Sequence, residues 1–166
     1  MTRELRIDYS RVEPEAAKPL YGIAAYLRKS RIEVGIRDLV YIRASQINGC
    51  AFCLDMHIQD ARANGESEQK IGCVSIWKDS PFFTDRERMA LEVTESLTLI
   101  SESGFSQSLY KRARQVFDEH EFVALVMAVN VINSWNRLMI SCGGTAGMYI
   151  NKDLKESSPE YYAGQQ

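Results

Sequence analysis

The sequence lacks the features that mark secreted, membrane-spanning or nucleic-acid-binding proteins. Its first residues lead into no apolar segment of the kind that forms a signal peptide. The longest unbroken apolar run, Phe122 to Val129, is far shorter than the ~20 residues that cross a bilayer. A basic cluster at Lys111, Arg112 and Arg114 is followed at once by acidic residues. We therefore expect a cytoplasmic protein that binds neither membranes nor nucleic acids.

Strand patterns and an excess of charge of one sign are also missing. Twenty basic and 22 acidic residues leave a net charge of −2, and hydrophobic residues make up 45% of the 166 positions, which is normal for a globular domain. No segment alternates apolar and polar residues as a half-buried strand does. We predict one all-α domain over residues 1–150, followed by a surface tail over residues 151–166.

Helix signals recur along the chain and predict about six to seven helices. Pro19 suits the first turn of an early helix, and a largely apolar helix follows over residues 36–47. Asn48-Gly49 is a turn signal, and the next helix, residues 50–64, stops at Gly65, which favours a left-handed cap. Suitable N-caps of later helices are Ser67, Thr84 in a capping box with Glu87, Ser106 and Asp118.

The last predicted helix, residues 119–140, is apolar nearly all round. Such a helix lies at the centre of a domain or in a subunit interface, and we expect Trp135 and Asn136 to pack there. Cys73 and Cys142 are most simply small buried side chains. The glycine-rich stretch after Cys142 predicts a flexible connection to the tail, because it lacks the strand and the Lys of a phosphate-binding loop.

The stretch from Cys50 to His57 carries the strongest chemical signal in the sequence. It places two cysteines in a C-x-x-C and a histidine four residues after Cys53, on the same helix face. Two thiols at this spacing can close into a disulfide, and histidine helps a thiol to become the reactive thiolate. In a cytoplasmic protein a close cysteine pair indicates catalysis, redox chemistry or metal binding.

Helix geometry adds a carboxylate to this motif. If Asn48-Gly49 joins two antiparallel helices, the unpaired N–H groups at the start of the second helix lower the pKa of a thiol there. Asp38 lies 11 residues before Gly49 and His57 lies 8 residues after it, so their levels differ by roughly 4–5 Å. A line of Asp38, His57 and Cys53 is then possible, in which the carboxylate orients the imidazole and the imidazole takes the thiol proton.

Other interpretations of the motif stay open at this point, although thiol redox chemistry is favoured over each. A zinc site would need a fourth ligand from Asp38, Cys73 or Cys142 at non-standard spacing. A c-type haem requires a histidine directly after the second cysteine, where Leu54 stands. The third alternative is that the two cysteines are simply buried beside a hydrogen-bonded histidine and take part in no reaction.

The segment from Ser45 to His57, followed by Ala61 and Gly65, resembles the core motif of the alkylhydroperoxidase D family. That family belongs to the wider carboxymuconolactone decarboxylase-like superfamily. The shared pattern is N-G-C-x-x-C-x-x-x-H rather than a bare C-x-x-C. The resemblance is dense over about residues 35–75 and extends more loosely through residues 81–84 and 133–137.

This resemblance implies an all-α fold in homo-oligomers, often trimers or hexamers, and a peroxidase cycle that needs no metal, flavin or other cofactor. In the family the second cysteine, here Cys53, attacks a hydroperoxide substrate and becomes a sulfenic acid. The first, here Cys50, resolves that acid by forming a disulfide, which an external dithiol or an adaptor protein reduces. His57 matches the histidine of the proton relay.

The chain departs from the family pattern at two positions. The acidic relay residue lies twelve residues before the first cysteine, where this chain has Asp38 in place of glutamate. Its reach is shorter by roughly 1.5 Å, which weakens the relay unless a water or closer helix packing fills the gap. Some members carry a histidine between the cysteines, where Phe52 stands here.

We therefore predict an antioxidant oxidoreductase, a thiol-dependent hydroperoxide reductase that cycles through a Cys50–Cys53 disulfide. Its catalytic residues are Cys53, Cys50, His57 and Asp38. The alternative is a non-catalytic oligomeric scaffold or a redox-sensing member of the same superfamily. Decarboxylase activity is less favoured because decarboxylases of the superfamily generally lack the cysteine pair.

Overall fold

The computed structural model describes residues 5–154, which form α-helices and short 3-10 turns with no strand in that range. The all-α prediction is confirmed. The α-helices of this range are α1 (Tyr9–Val12), α2 (Pro14–Lys29), α3 (Val34–Asn48), α4 (Ala51–Ala63), α5 (Glu68–Cys73), α6 (Asp85–Thr98), α7 (Ile100–Ser103), α8 (Gln107–Val116) and α9 (Glu119–Cys142).

Nine helices in residues 5–154 exceed the six to seven predicted, because α1 and α7 are single turns of four residues. Pro19 lies inside α2 rather than in its first turn. Pro14 takes the first-turn position instead, where a missing N–H costs no hydrogen bond. The predicted N-caps are confirmed, since each side chain accepts a hydrogen bond from the backbone of its helix; they are Ser67, Thr84, Ser106 and Asp118.

A tight turn joins α3 to α4 and brings the two helices into contact. Gly49 ends α3 in the left-handed conformation with φ 68°, which glycine adopts without steric cost. The Gly49 N–H donates to the carbonyl of Gln46 at 3.3 Å, and the Cys50 N–H donates to the carbonyl of Ser45 at 3.0 Å. These bonds close the end of α3 and start α4 at Cys50.

Helix α9 is the central helix of the bundle, as its apolar sequence predicted. Its 24 residues contact α2, α3, α4, α6 and α8. By length and composition it could also cross a membrane, but half of its most apolar window is buried inside the structure. Such burial is typical of the core helix of a domain.

The C-terminal segment, residues 143–154, returns across α4 instead of leaving the surface. The backbone N–H of Gly147 donates to Asp55 Oδ2 at 2.9 Å. Gln59 pairs with two positions of the segment, donating to the carbonyl of Tyr149 at 3.2 Å and accepting from the N–H of Asn151 at 3.0 Å. The prediction of a flexible connection after Cys142 is therefore wrong for residues 143–154, because hydrogen bonds hold this segment against α4. Most of the predicted tail lies outside the described residues.

Candidate active site

The two thiols of the C-x-x-C lie at the start of α4 and are both buried. Cys50 is the N-cap of the helix, and its Sγ accepts a hydrogen bond from the backbone N–H of Cys53 at 3.4 Å. Both cysteines are in the free thiol form. They pack with Ala44, Ile132 and Met139, where α3, α4 and α9 meet.

The fold gives the two thiols opposite acidities. A hydrogen bond from the Cys53 thiol lowers the pKa of Cys50 to about 7, although burial opposes this shift. The same contact, together with burial, raises the pKa of Cys53. We expected the helix start to make Cys53 acidic. The N-cap position gives that effect to Cys50, because its sulfur accepts the free N–H of the first turn.

Asn136 on α9 is a polar neighbour of both sulfurs. Its side chain is fully buried and lowers the pKa of Cys50 and of Cys53 by hydrogen bonding. The Asn136 amide also donates to Ser45 Oγ at 3.0 Å and accepts from Asn48 Nδ2 at 2.9 Å. Asn136 is therefore held by α3 in a position where it stabilises a thiolate. Sequence reasoning assigned it only to packing.

A cavity of about 510 Å³ opens beside the thiols, between α2, α3, α4, α9 and the C-terminal segment. Within the described chain, Cys53 lines this cavity and Cys50 does not. Its walls combine aromatic and charged side chains: Tyr9, Tyr21, Tyr41, Phe52, Trp135, Arg28, Arg37, Asp38, Asp60 and Asp153. Both cysteines are almost completely shielded from solvent, and Cys53 is the one that borders the cavity.

His57 lies one turn after Cys53 on α4 and lines the same cavity. Its ring packs on Tyr41 of α3, with the ring centroids 4.7 Å apart. Its Nδ1 lies 3.8 Å from Oδ2 of Asp60. Aromatic packing on one side and a carboxylate on the other limit how far the imidazole can rotate.

Asp38 also lines the cavity, but it is bonded to a different partner. Its Oδ2 accepts a hydrogen bond from Asn64 Nδ2 at 2.7 Å. Burial raises the pKa of Asp38, against the hydrogen bond from Asn64 and the electrostatic effect of the neighbouring Arg37 and His57. Among residues 5–154, no hydrogen bond or ion pair joins Asp38 to His57. The assignment of Asp38 as the orienting carboxylate stays a prediction.

The other sequence interpretations concerned Cys73 and Cys142. Cys73 ends α5 and is half-buried, whereas Cys142 is buried at the end of α9. In the described part of the chain, no group of three or more His, Cys, Asp or Glu side chains is arranged to hold a metal ion.

Asp60 is the site residue that sequence reasoning missed although a signal was present. It follows His57 by three residues, which places the two side chains on one helix face. Its partners Tyr149 and Asn151 come from the C-terminal segment, about 90 positions away along the chain. No local pattern predicts contacts of that sequence separation.

The sequence model of the carboxymuconolactone decarboxylase family matches residues 14–96. This half of the chain runs from α2 through most of α6. It contains the two cysteines of the C-x-x-C, His57, Asp38 and Asp60. The chain belongs to this family. The resemblance to its alkylhydroperoxidase D-like members is confirmed.

Relatives of known sequence or structure agree with this assignment. The uncharacterized protein YdfG of Bacillus subtilis strain 168 is 43% identical over 141 residues, which are 85% of this chain and 96% of that protein. The crystal structure of ATU0492 from Agrobacterium tumefaciens, a protein of unknown function whose name suggests AhpD-type antioxidant defence, has a TM-score of 0.83 and 35% identity. It covers 89% of this chain and 100% of its own.

The same fold also serves other chemistry. The debrominase Bmp8, solved with a tribromopyrrole, has a TM-score of 0.73 at 13% identity and covers 87% of this chain and 75% of its own. At that identity the likeness concerns the fold alone, so function has to be argued from the site.

Proposed function

We propose that this protein is a thiol-dependent hydroperoxide reductase in which Cys53 is the nucleophile. The observation that carries the proposal is that Cys53 lines the cavity beside His57 while Cys50 packs behind it on the same helix turn. A peroxide in the cavity meets one sulfur, and the second sulfur is close enough to close a disulfide. This is the arrangement that a peroxidatic and a resolving cysteine need.

The first step consumes the peroxide. His57 takes the proton of the Cys53 thiol, and the thiolate attacks the terminal oxygen of ROOH. The S–O bond forms as the O–O bond breaks, and the leaving alkoxide takes a proton to become ROH. Asp38, whose raised pKa favours its protonated form, is the group proposed to supply acid to the relay. Cys53–SH and ROOH thus give Cys53–SOH and ROH.

The second step forms the disulfide. In the resting dithiol the thiol of Cys53 lowers the pKa of Cys50 to about 7. Once Cys53 is a sulfenic acid, Cys50 attacks the sulfenic sulfur as a thiolate. The hydroxyl takes a proton from the imidazolium that His57 became in the first step and leaves as water, and Cys50 and Cys53 are joined. An external dithiol or the dithiol of an adaptor protein then reduces this disulfide, is itself oxidised to a disulfide and restores both thiols.

The direct test is a titration of free thiols in denaturant, before and after one equivalent of cumene hydroperoxide. The chain has four cysteines, and we expect two of them to be lost. Cys53→Ser should lose none, whereas Cys73→Ser, the matched control, should still lose two. If the wild-type thiols do not change, the non-catalytic scaffold becomes the better account.

The assembly, the reductant and the compartment extend this proposal. The family resemblance favours a homo-oligomer, a trimer or hexamer, acting in the cytoplasm. Sedimentation velocity of the purified chain would measure the oligomer. A purely monomeric species at micromolar concentration would contradict that part.

A further inference from the structure

Asp38 and Asp60 line the cavity with His57, and of these two Asp60 is the one whose oxygen lies within 4 Å of an imidazole nitrogen in the described residues. Asp60 Oδ2 is 3.8 Å from His57 Nδ1. Asp38 Oδ2 instead accepts a hydrogen bond from Asn64 Nδ2. The distance from Asp60 to His57 is longer than a hydrogen bond. The two residues are three positions apart on α4, so their side chains are neighbours, and a small rotation of either one would bring the two atoms within hydrogen-bond distance.

The second oxygen of Asp60 is held from outside the helix. Asp60 Oδ1 accepts hydrogen bonds from the hydroxyl of Tyr149 at 2.8 Å and from Nδ2 of Asn151 at 2.9 Å. Both donors belong to the C-terminal segment, which Asp55 and Gln59 fasten to α4. With Oδ1 doubly bonded in this way, Oδ2 is directed at the ring.

We propose that Asp60 is the positioning residue that orients His57, and that the C-terminal segment holds Asp60 in place for this task. The inference rests on the proposed function of the site. An anionic acceptor at Nδ1 keeps the proton of the neutral imidazole on that nitrogen. Nε2 then carries the free lone pair, which is the form of the imidazole that the proposed function needs to take the proton of Cys53.

The charge of Asp60 agrees with this role. Burial alone would raise the pKa of Asp60, but the contacts from His57, Tyr149 and Asn151 hold it below its ordinary value. Asp60 is therefore a carboxylate at neutral pH. Burial has the opposite result at Asp38, where a single amide donor does not offset it.

The test compares Asp60→Asn with Asp55→Asn. Both variants remove the charge of a carboxylate of α4 and keep an amide oxygen that can still accept from the C-terminal segment, but of the two residues only Asp60 contacts His57. The first readout is the imidazole tautomer from ¹⁵N chemical shifts, in a His120→Gln background that leaves His57 as the one histidine. We expect Nδ1–H in the parent and in Asp55→Asn, and a shift toward Nε2–H in Asp60→Asn.

The second readout is the rate at which cumene hydroperoxide oxidises the thiol pair. Asp60→Asn should slow it by about 10-fold or more, and Asp55→Asn should stay within about twofold. If the parent does not react at all, the proposed function fails, while the tautomer still tests the orientation. Equal tautomers and equal rates in the two variants would overturn the inference.

Tyr149→Phe keeps the inference testable if Asp60→Asn does not fold. It removes one donor to Asp60 and leaves both the carboxylate and the cavity lining intact. We expect a tautomer shift in the same direction as for Asp60→Asn, but smaller. A spectrum identical to that of the parent would contradict the role of the C-terminal segment.

Discussion

A pair of like groups lies near each end of α4, two thiols at its start and Asp60 with Asp38 of α3 toward its C-terminal end, and the fold treats the members of each pair differently. At the start of the helix, the pKa of Cys50 is lowered and that of Cys53 is raised. At the other end, the pKa of Asp60 is lowered and that of Asp38 is raised. His57 lies between the two ends.

The comparison shows that hydrogen bonds decide which member of each pair more readily becomes an anion. Cys50 accepts from the Cys53 thiol, which lowers the pKa of Cys50 and raises that of Cys53. Contacts from three side chains outweigh the burial of Asp60, whereas one amide donor does not offset the burial of Asp38.

The largest expected effect comes from removing the group between the pairs. His57→Ala should slow the oxidation of Cys53 by cumene hydroperoxide by about 10²- to 10⁴-fold, the usual contribution of a general base. His120→Ala, an exposed histidine of α9, is the matched control and should stay within about twofold. A normal rate in His57→Ala would contradict the assignment of His57 as the general base.

Asp38→Glu tests the carboxylate pair. The longer side chain restores the family's glutamate and can extend into the cavity toward His57. Because misplacement of a catalytic group by about 1 Å lowers the rate strongly, we expect peroxide turnover to rise about three- to tenfold. Steady-state turnover with excess dithiol is the measurement, and Asp55→Glu is the control. A fall in turnover, with an unchanged circular dichroism spectrum, would show that the shorter acid belongs to a repacked site.

Asn136→Ala tests the donors at the thiol pair. It removes the amide that lowers the pKa of both thiols and leaves Asn48 and Ser45 without that partner, so the pKa of Cys50 should rise. The free energy of unfolding should fall by about 1–3 kcal/mol. Asn133→Ala removes another partner of Asn48 and should lower stability alone. Equal thiolate titrations, followed by ultraviolet absorbance, in the two variants would contradict the role of Asn136.

The smallest expected effect concerns the pH dependence of thiolate formation. In a Cys73→Ser, Cys142→Ser background, the ultraviolet absorbance of the thiolate should rise with a midpoint near pH 7, because the pKa of Cys50 is lowered to about 7. Cys53, whose pKa is raised, should contribute no thiolate over the same range. Cys50→Ser in this background should abolish the absorbance change, and a change that persists there would reverse the comparison.

The sequence alone predicted the all-α fold, the turn at Gly49 and the helix caps, because each rests on contacts between residues close in sequence. It also predicted that Cys50, Cys53 and His57 belong to one site, because their spacing is a local pattern. The sequence did not predict which thiol is acidic, since that depends on which sulfur accepts the hydrogen bond between the two thiols and on the N-cap position of Cys50.

The same limit applies to the carboxylates. Helix spacing allowed Asp38 to lie at the level of His57, and the structure places both on the cavity. Asn64, Tyr149 and Asn151 determine how each carboxylate behaves, and the last two lie in a stretch predicted to be a flexible connection and tail. Tertiary hydrogen bonds, rather than helix periodicity, thus distinguish Asp60 from Asp38.

The central claim is that Cys53 is the sulfur that meets the peroxide, although Cys50 is the more acidic thiol. Trapping of the sulfenic acid with dimedone, followed by peptide mass spectrometry, tests it most directly. In Cys50→Ser, one equivalent of cumene hydroperoxide should give a dimedone adduct at Cys53, and Cys53→Ser should give none at Cys50. An adduct at Cys50 in Cys53→Ser, with Cys53 unmodified in Cys50→Ser, would contradict the account.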